Sequence, residues 1–222
     1  MNKNIRIASE LVKLAKSLVS EEVSYDGTGL LDKATSEGKK YILHHKEGRF
    51  WRIQACKDFG DVHKEDFGGL VQSEKNLSHK GDCWVYDDAV VLENAYVSGI
   101  ARVYGNAKVG GHAQISDNAL VSGHARVGEE AKVYQAAYVY GNAEVFGDSK
   151  VYGYARVFDK AQVYGDAKVY DTAQVHDTAQ VYDKAQVYDK VQVYDKAQVY
   201  GDASVHGNAK VDYDVNHGDI VR

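Results

Sequence analysis

The chain has 222 residues, a net charge of −5, no proline and two cysteines, which suits one main domain with a smaller preface. Its slightly acidic balance contains no basic block, which argues against a nucleic-acid surface, and no apolar run is long enough for a transmembrane segment. Cys56 and Cys83 are too few and too far apart for a disulfide scaffold or a zinc pattern, so they are expected as reduced thiols of a cytosolic protein.

In residues 1–22, Ala8, Leu11, Val12, Ala15, Leu18 and Val19 recur at helical spacing, while Lys3, Arg6, Lys13 and Lys16 make the remainder basic. This pattern predicts an amphipathic helix. Lys13 and Lys16 interrupt what would be the apolar stretch of a signal peptide. The helix would pack on its own subunit, join subunits, lie on a membrane surface or serve as a removable leader. The stretch IASELVKLAKSLVSEE resembles the N-terminal leaders of tailed-phage virion proteins, some of which are trimmed after a glutamate. That resemblance implies Glu21 or Glu22 as the trimming point.

Residues 23–40 are polar and contain glycine, as a linker does. Residues 41–82 are expected to form a small β cap. In it YILHH and RFWRIQA flank a Gly48 turn, and Ile42, Phe50, Trp51 and Ile53 supply a core. His44, His45, His63 and His79 lack a recognisable metal spacing, and no metal or cofactor is expected. The motifs Gly60-Asp61-Val62, Gly68-Gly69, Asn76-Leu77-Ser78 and Gly81-Asp82-Cys83-Trp84-Val85 resemble the preface of bacterial and phage hexapeptide-repeat proteins labelled acetyltransferases. Phe59, Phe67, Leu70, Val71, Leu77 and Trp84 would cover the bare edge of a first β rung; a separate binding site is the alternative use.

From residue 83 to 213, Val or Ile returns every sixth residue, at 22 positions from Val85 to Val211, Ile115 alone not being Val. Four residues after each, from Ala89 to Ala209, comes Ala, replaced only by Ser149 and Val191. No helical period holds a six-residue spacing on one face, whereas in a strand Ala and the Val two residues on point the same way. Each hexad is therefore a short strand and a turn, with Gly, Asn or Asp supplying the bend.

This spacing resembles the hexapeptide-repeat, left-handed parallel β-helix superfamily, in which three hexads make one triangular coil. The resemblance implies an all-β fold of about seven coils, on the order of 35 Å long, in which residues 18 apart stack. The chain departs from the family at the second position of the hexad, where it carries Tyr, Phe or His in most repeats. Three columns follow, running through Tyr140, Phe158, His176 and Tyr194; through Phe146, Tyr164, Tyr182 and Tyr200; and through Tyr134, Tyr152, Tyr170, Tyr188 and His206. Beside them, glutamines such as Gln162, Gln180 and Gln198 would hydrogen-bond from rung to rung. Corner aspartates Asp159, Asp177 and Asp195 would repel one another. After Val211 the pattern breaks, and residues 214–222 form a tail whose edge is either blunted by Asp212, Asp214 and Asp219 or paired with another molecule.

The eight column tyrosines Tyr140, Tyr152, Tyr164, Tyr170, Tyr182, Tyr188, Tyr194 and Tyr200 are the candidate binding surface, because extended aromatic faces serve as interaction surfaces. They would serve trimeric packing, other virion proteins or carbohydrate. The near-identical hexads from Asp159 to Tyr200 suit a spacer. The expected role is therefore a non-enzymatic structural or binding protein, a phage-related virion or attachment component acting as a rigid homotrimeric rod, located in a virion or the cytoplasm. The alternative, implied by resemblance to hexapeptide acyltransferases that use CoA thioesters, needs a histidine base. Its candidates are His112 and His124, neither with an evident orienting carboxylate. A cytoplasmic protein binding a small ligand between subunits is the third expectation.

Overall fold

The computed structural model describes residues 38–216 and 220–221. The expected helix over 1–22, the trimming point at Glu21 or Glu22, most of the 23–40 linker and Asp219 lie outside them.

Each hexad gives a two-residue strand, as at Lys108–Val109, followed by a corner. The strands assemble into three sheets of 10, 8 and 8 strands. Within a sheet, successive solenoid strands pair in parallel, Val103 with Val121 and Val121 with Val139. The result is an all-β solenoid of three parallel sheets in triangular arrangement. Its interior is a stack of Val and Ala side chains; Val163 and Ala167, for example, are fully buried. Backbone amides along the coils donate to carbonyls of the next coil, as Tyr104 N does to Val121 O at 3.0 Å, and this pairing satisfies the buried main chain. The exceptions in the small slot are accommodated: Ser149 donates its hydroxyl to Phe146 O at 2.6 Å, and Val191 is fully buried.

There are about eight turns rather than the seven that the hexads predict, because both flanking segments join the sheets. In the preface, Val71 pairs with Val91 and Leu77 bridges Val97. At the other end Val215 bridges Val199, and Ile220–Val221 pairs with Ser204–Val205. The tail thus extends two of the three sheets by one further pairing each. Asp214, one of the charges expected to blunt the edge, accepts Gln198 N at 3.0 Å. These added strands escape a period search because their offsets differ from 18.

The corners show why Asp alternates with Gly. From Asp87 to Gly207 the third residue of each hexad takes positive φ, +57° at Asp159 and +72° at Gly153. Gly accepts this without cost, and Asp tolerates it better than most residues. Where the corner carries a side chain, its oxygen accepts the backbone N–H of the corner one coil on. Gly105 N donates to Asp87 at 2.9 Å, Gly147 N to Glu129 at 2.7 Å and Gly207 N to Asp189 at 2.9 Å. The expected repulsion within the Asp159, Asp177, Asp195 column is offset the same way, by Asp177 N at 3.4 Å and Asp195 N at 3.2 Å. Asp189→Ala keeps the strained φ and loses the acceptor, so it is expected to destabilise by about 1–2 kcal/mol. Asp189→Asn, which retains both, should stay near wild type in a denaturant titration.

The preface begins with two antiparallel strands, β1 (Tyr41–Glu47) and β2 (Phe50–Ala55), joined through Gly48 at φ +62°. Strand β3 (Phe67–Val71) pairs antiparallel with β2 and then parallel with the first rung of its sheet. This contact explains the Gly68-Gly69 pair. A Cβ at Gly68 would stand 2.6 Å from Val85 O, and one at Gly69 2.6 Å from Ala89 O. Trp84 is buried, with its ring 5.3 Å from Phe59 and 6.0 Å from Tyr41. Phe67, expected among the covering residues, is instead 54% exposed, since its pleat position turns it outward against His44.

Polar side chains complete the cap. Buried Asn76 donates to Glu93 O and Ala95 O at 3.0 and 2.9 Å. Lys40, at the end of the expected linker, is itself buried. It donates to Cys83 O at 2.8 Å, Cys83 Sγ at 3.2 Å and Gly81 O at 3.2 Å. Burial lowers the Lys40 pKa and raises that of Cys83.

Candidate functional site: the stacked ring columns

The second residue of each hexad follows the inward Val and so projects outward. Parallel in-register pairing then places rings 18 residues apart directly over one another. Tyr134, Tyr152, Tyr170, Tyr188 and His206 stack at centroid separations of 4.9, 4.9, 4.8 and 5.2 Å. Tyr164, Tyr182 and Tyr200 stack at 4.9 and 5.2 Å. Tyr140, Phe158, His176 and Tyr194 stack at 4.9, 4.8 and 5.7 Å. All eight candidate tyrosines therefore lie in ladders, distributed over three faces.

The ladders are less open than the sequence implies. Each internal ring has both faces against its neighbours, and all eight tyrosines are half-buried. What they offer outward is a strip of ring edges and hydroxyls. The more exposed large residues, Tyr154 at 70% and Tyr213 at 52%, lie outside the columns.

Two further features were not legible at second positions alone. The gap left by Ser122 is filled by Tyr138, whose ring lies 4.3 Å from Tyr140 and whose hydroxyl is 3.3 Å from that of Tyr104. The glutamines do not form the expected rung-to-rung amide ladder. Gln180 and Gln198 accept instead from the hydroxyls of Tyr164 and Tyr182, at 3.1 and 3.0 Å, because the phenol reaches the neighbouring strand of the next coil.

Burial raises the pKa of Tyr134, Tyr140, Tyr152, Tyr164 and Tyr182, and pushes Tyr170 up to about 12, with the neighbouring Tyr152 and Tyr188 adding to it. The unfolded chain releases these protons near pH 10.0 while the folded ladder keeps them. Their stabilising contribution is complete below that pH and declines above it, towards pH 12 for Tyr170. Thermal melts taken through this alkaline range should show falling stability, with phenolate absorbance appearing late in the folded protein.

The histidine candidates occupy corners. His112 Nδ1 lies 3.1 Å from Glu130 Oε1, and its Nε2 is 2.9 Å from Asn94 Nδ2. The orienting carboxylate that the sequence did not reveal is thus present one coil on. With Nδ1–H donating to Glu130, the remaining lone pair on Nε2 accepts from Asn94. His124 lies at another corner, where its backbone N–H donates to Gly141 O at 2.7 Å. A recess between successive corners, lined by Asp171, Thr172, Asp189, Lys190, Gly207 and Asn208, contains neither histidine. In the preface, His79 stacks on Tyr41 at 4.3 Å and meets Glu74 at 2.8 Å. Among the described residues, no helix is long and apolar enough to cross a membrane.

Residues 113–129 and 161–177 match the family described as YdcK Beta solenoid repeat. Both stretches lie within the hexads, so the similarity is to the repeating unit. No curated protein is similar enough to the chain to count as a match.

Proposed function

We propose that this chain is a non-enzymatic solenoid, wound left-handed like the hexapeptide repeats it resembles, that acts as a rigid homotrimeric rod. The observation that carries this reading is the run of ring ladders along flat faces. Rungs one coil apart repeat the same outward residues, so a face of one copy matches the same face of another along its length. Stacked rings present edges and hydroxyls that interdigitate with a flat partner. Sugar stacking would require open ring faces, which internal rungs lack. The role as a phage-related virion or attachment component rests on the leader resemblance of residues 1–22, and other virion proteins are the partners it implies.

The test replaces one column at a time. Tyr152, Tyr170 and Tyr188 changed together to Ser, or Tyr164 and Tyr182 with Tyr200, should leave the circular dichroism of the fold in place. One set, and not the other, should reduce the sedimenting mass to a single chain. Both sets retaining the full mass would remove these two ladders from the interface and leave only the face of Tyr140, Phe158, His176 and Tyr194.

His112 with Glu130 supports a second reading, an acyltransferase-like enzyme in which the imidazole takes a proton from an acceptor hydroxyl or amine. Asn94 would have to yield its place on Nε2 to the acceptor. CoA thioester turnover that disappears in His112→Ala and survives in His124→Ala is the result that would favour it.

A further inference from the structure

Histidine replaces tyrosine at two places in the ladders, His176 and His206, and their surroundings differ. His206 is followed by Gly207 at the corner. His176 is followed by Asp177, and the corner one coil earlier is Asp159. The Nδ1 of His176 lies 3.0 Å from Asp177 Oδ2, and one ligand atom from each of Asp159, His176 and Asp177 falls within 4.8 Å of the others.

We propose that Asp159, His176 and Asp177 form a divalent transition-metal site that ties two successive coils together. Three observations support it. First, the imidazole is held in orientation, its ring clamped between Phe158 at 4.8 Å and Tyr194 at 5.7 Å. Second, both carboxylates are positioned by backbone donors: Asp159 Oδ2 accepts Asp177 N at 3.4 Å and Asp177 Oδ2 accepts Asp195 N at 3.2 Å. Such outer contacts orient metal ligands. Third, a nitrogen and an oxygen 3.0 Å apart match two adjacent ligands on an ion with bonds of about 2.0–2.2 Å. A small rotation of the exposed Asp159 carboxylate completes the set. One imidazole among carboxylates selects a borderline ion such as zinc or cobalt over calcium or magnesium, which prefer oxygen alone. The remaining coordination positions face solvent and would hold water.

Sequence spacing did not reveal this set because its members come from two different columns, rings and corners. The imidazole also serves the ladder as a substitute ring.

The full chain is titrated with zinc alone by calorimetry, and its melting temperature is followed with and without chelator. His176→Tyr restores the majority residue of the ladder, so it removes the ligand while keeping the stack. His206→Tyr is the matched control. The wild-type chain and His206→Tyr should take up one more equivalent than His176→Tyr, with affinity at that site reduced at least about tenfold by the substitution. The melting temperature of wild type and His206→Tyr should rise with zinc by more than that of His176→Tyr. Equal uptake by wild type and His176→Tyr, or none by either, overturns the site.

Discussion

Val163→Asp is expected to abolish the cooperative melt of the native solenoid, at a cost above about 4 kcal/mol. Val163 is fully buried, paired in register with Val145 and Val181 in the coils on either side. The interior of the solenoid is built almost wholly of such Val and Ala columns, and the one hydroxyl in the small slot, that of Ser149, is already donated to Phe146 O. An ionised aspartate would lose its hydration uncompensated, and a protonated one would still lack a hydrogen-bond partner. Val163→Ala keeps the interior apolar and should cost about 2 kcal/mol, from two lost methyl groups and the gap they leave. Because each coil contacts only its neighbours, damage should begin locally and spread along the stack. Circular dichroism melts of the two variants give the comparison; a Val163→Asp protein that melts within a few degrees of Val163→Ala contradicts the placement of this column inside.

Trp84→Ala should cost about 3–5 kcal/mol, with the loss confined to the preface and first coil. Trp84 begins the first rung at Trp84–Val85 and is covered by Phe59 and Tyr41. A Cβ on Gly68 would approach its ring to 2.7 Å, so β3 lies directly against it. Its removal hollows the junction where the cap meets the repeats. Hydrogen exchange reads this directly: protection should fall at Ile53, Val71 and Val85, while amides in the 163–199 rungs keep theirs. Uniform loss throughout the chain would mean that the cap nucleates the whole solenoid rather than protecting one end.

The repeating part of the fold was legible because one physical requirement recurs at every hexad. Ala and the Val two residues on must point inward, and the corner that follows them must accept positive φ. The stacking offset of 18 follows from three such corners per coil, and it correctly placed Tyr152 over Tyr134 and Tyr182 over Tyr164. The same rule stacks Asp159 under Asp177, where the backbone N–H of Asp177 and not repulsion decides the contact, and carried to the residue after the corner it places Glu130 beside His112. What remained hidden is aperiodic. Lys40 and Asn76 satisfy carbonyls that only the folded cap brings near, and neither residue has a repeat partner. The tail pairs Val215 with Val199 and Val221 with Val205, at an offset that the hexads do not use. Phe67 carried an apolar signal in the sequence, but its position in β3 turns it to solvent.

The ladders themselves show how a stacking rule can predict contacts and still misjudge exposure. Rings spaced at about 4.8 Å cover one another, so a column rich in tyrosine is largely consumed by its own packing. Its value to a partner lies in the edge strip and its hydroxyls, some of which are already engaged by Gln180 and Gln198.

The absolute mass of the unmodified full-length chain, measured by light scattering over a wide concentration range, tests the rod most directly. A constant trimeric mass is the predicted result. A single-chain mass at every concentration would contradict face-to-face packing, and a mass that grows steadily with concentration would contradict a closed trimer and point to pairing through the ends of the solenoid.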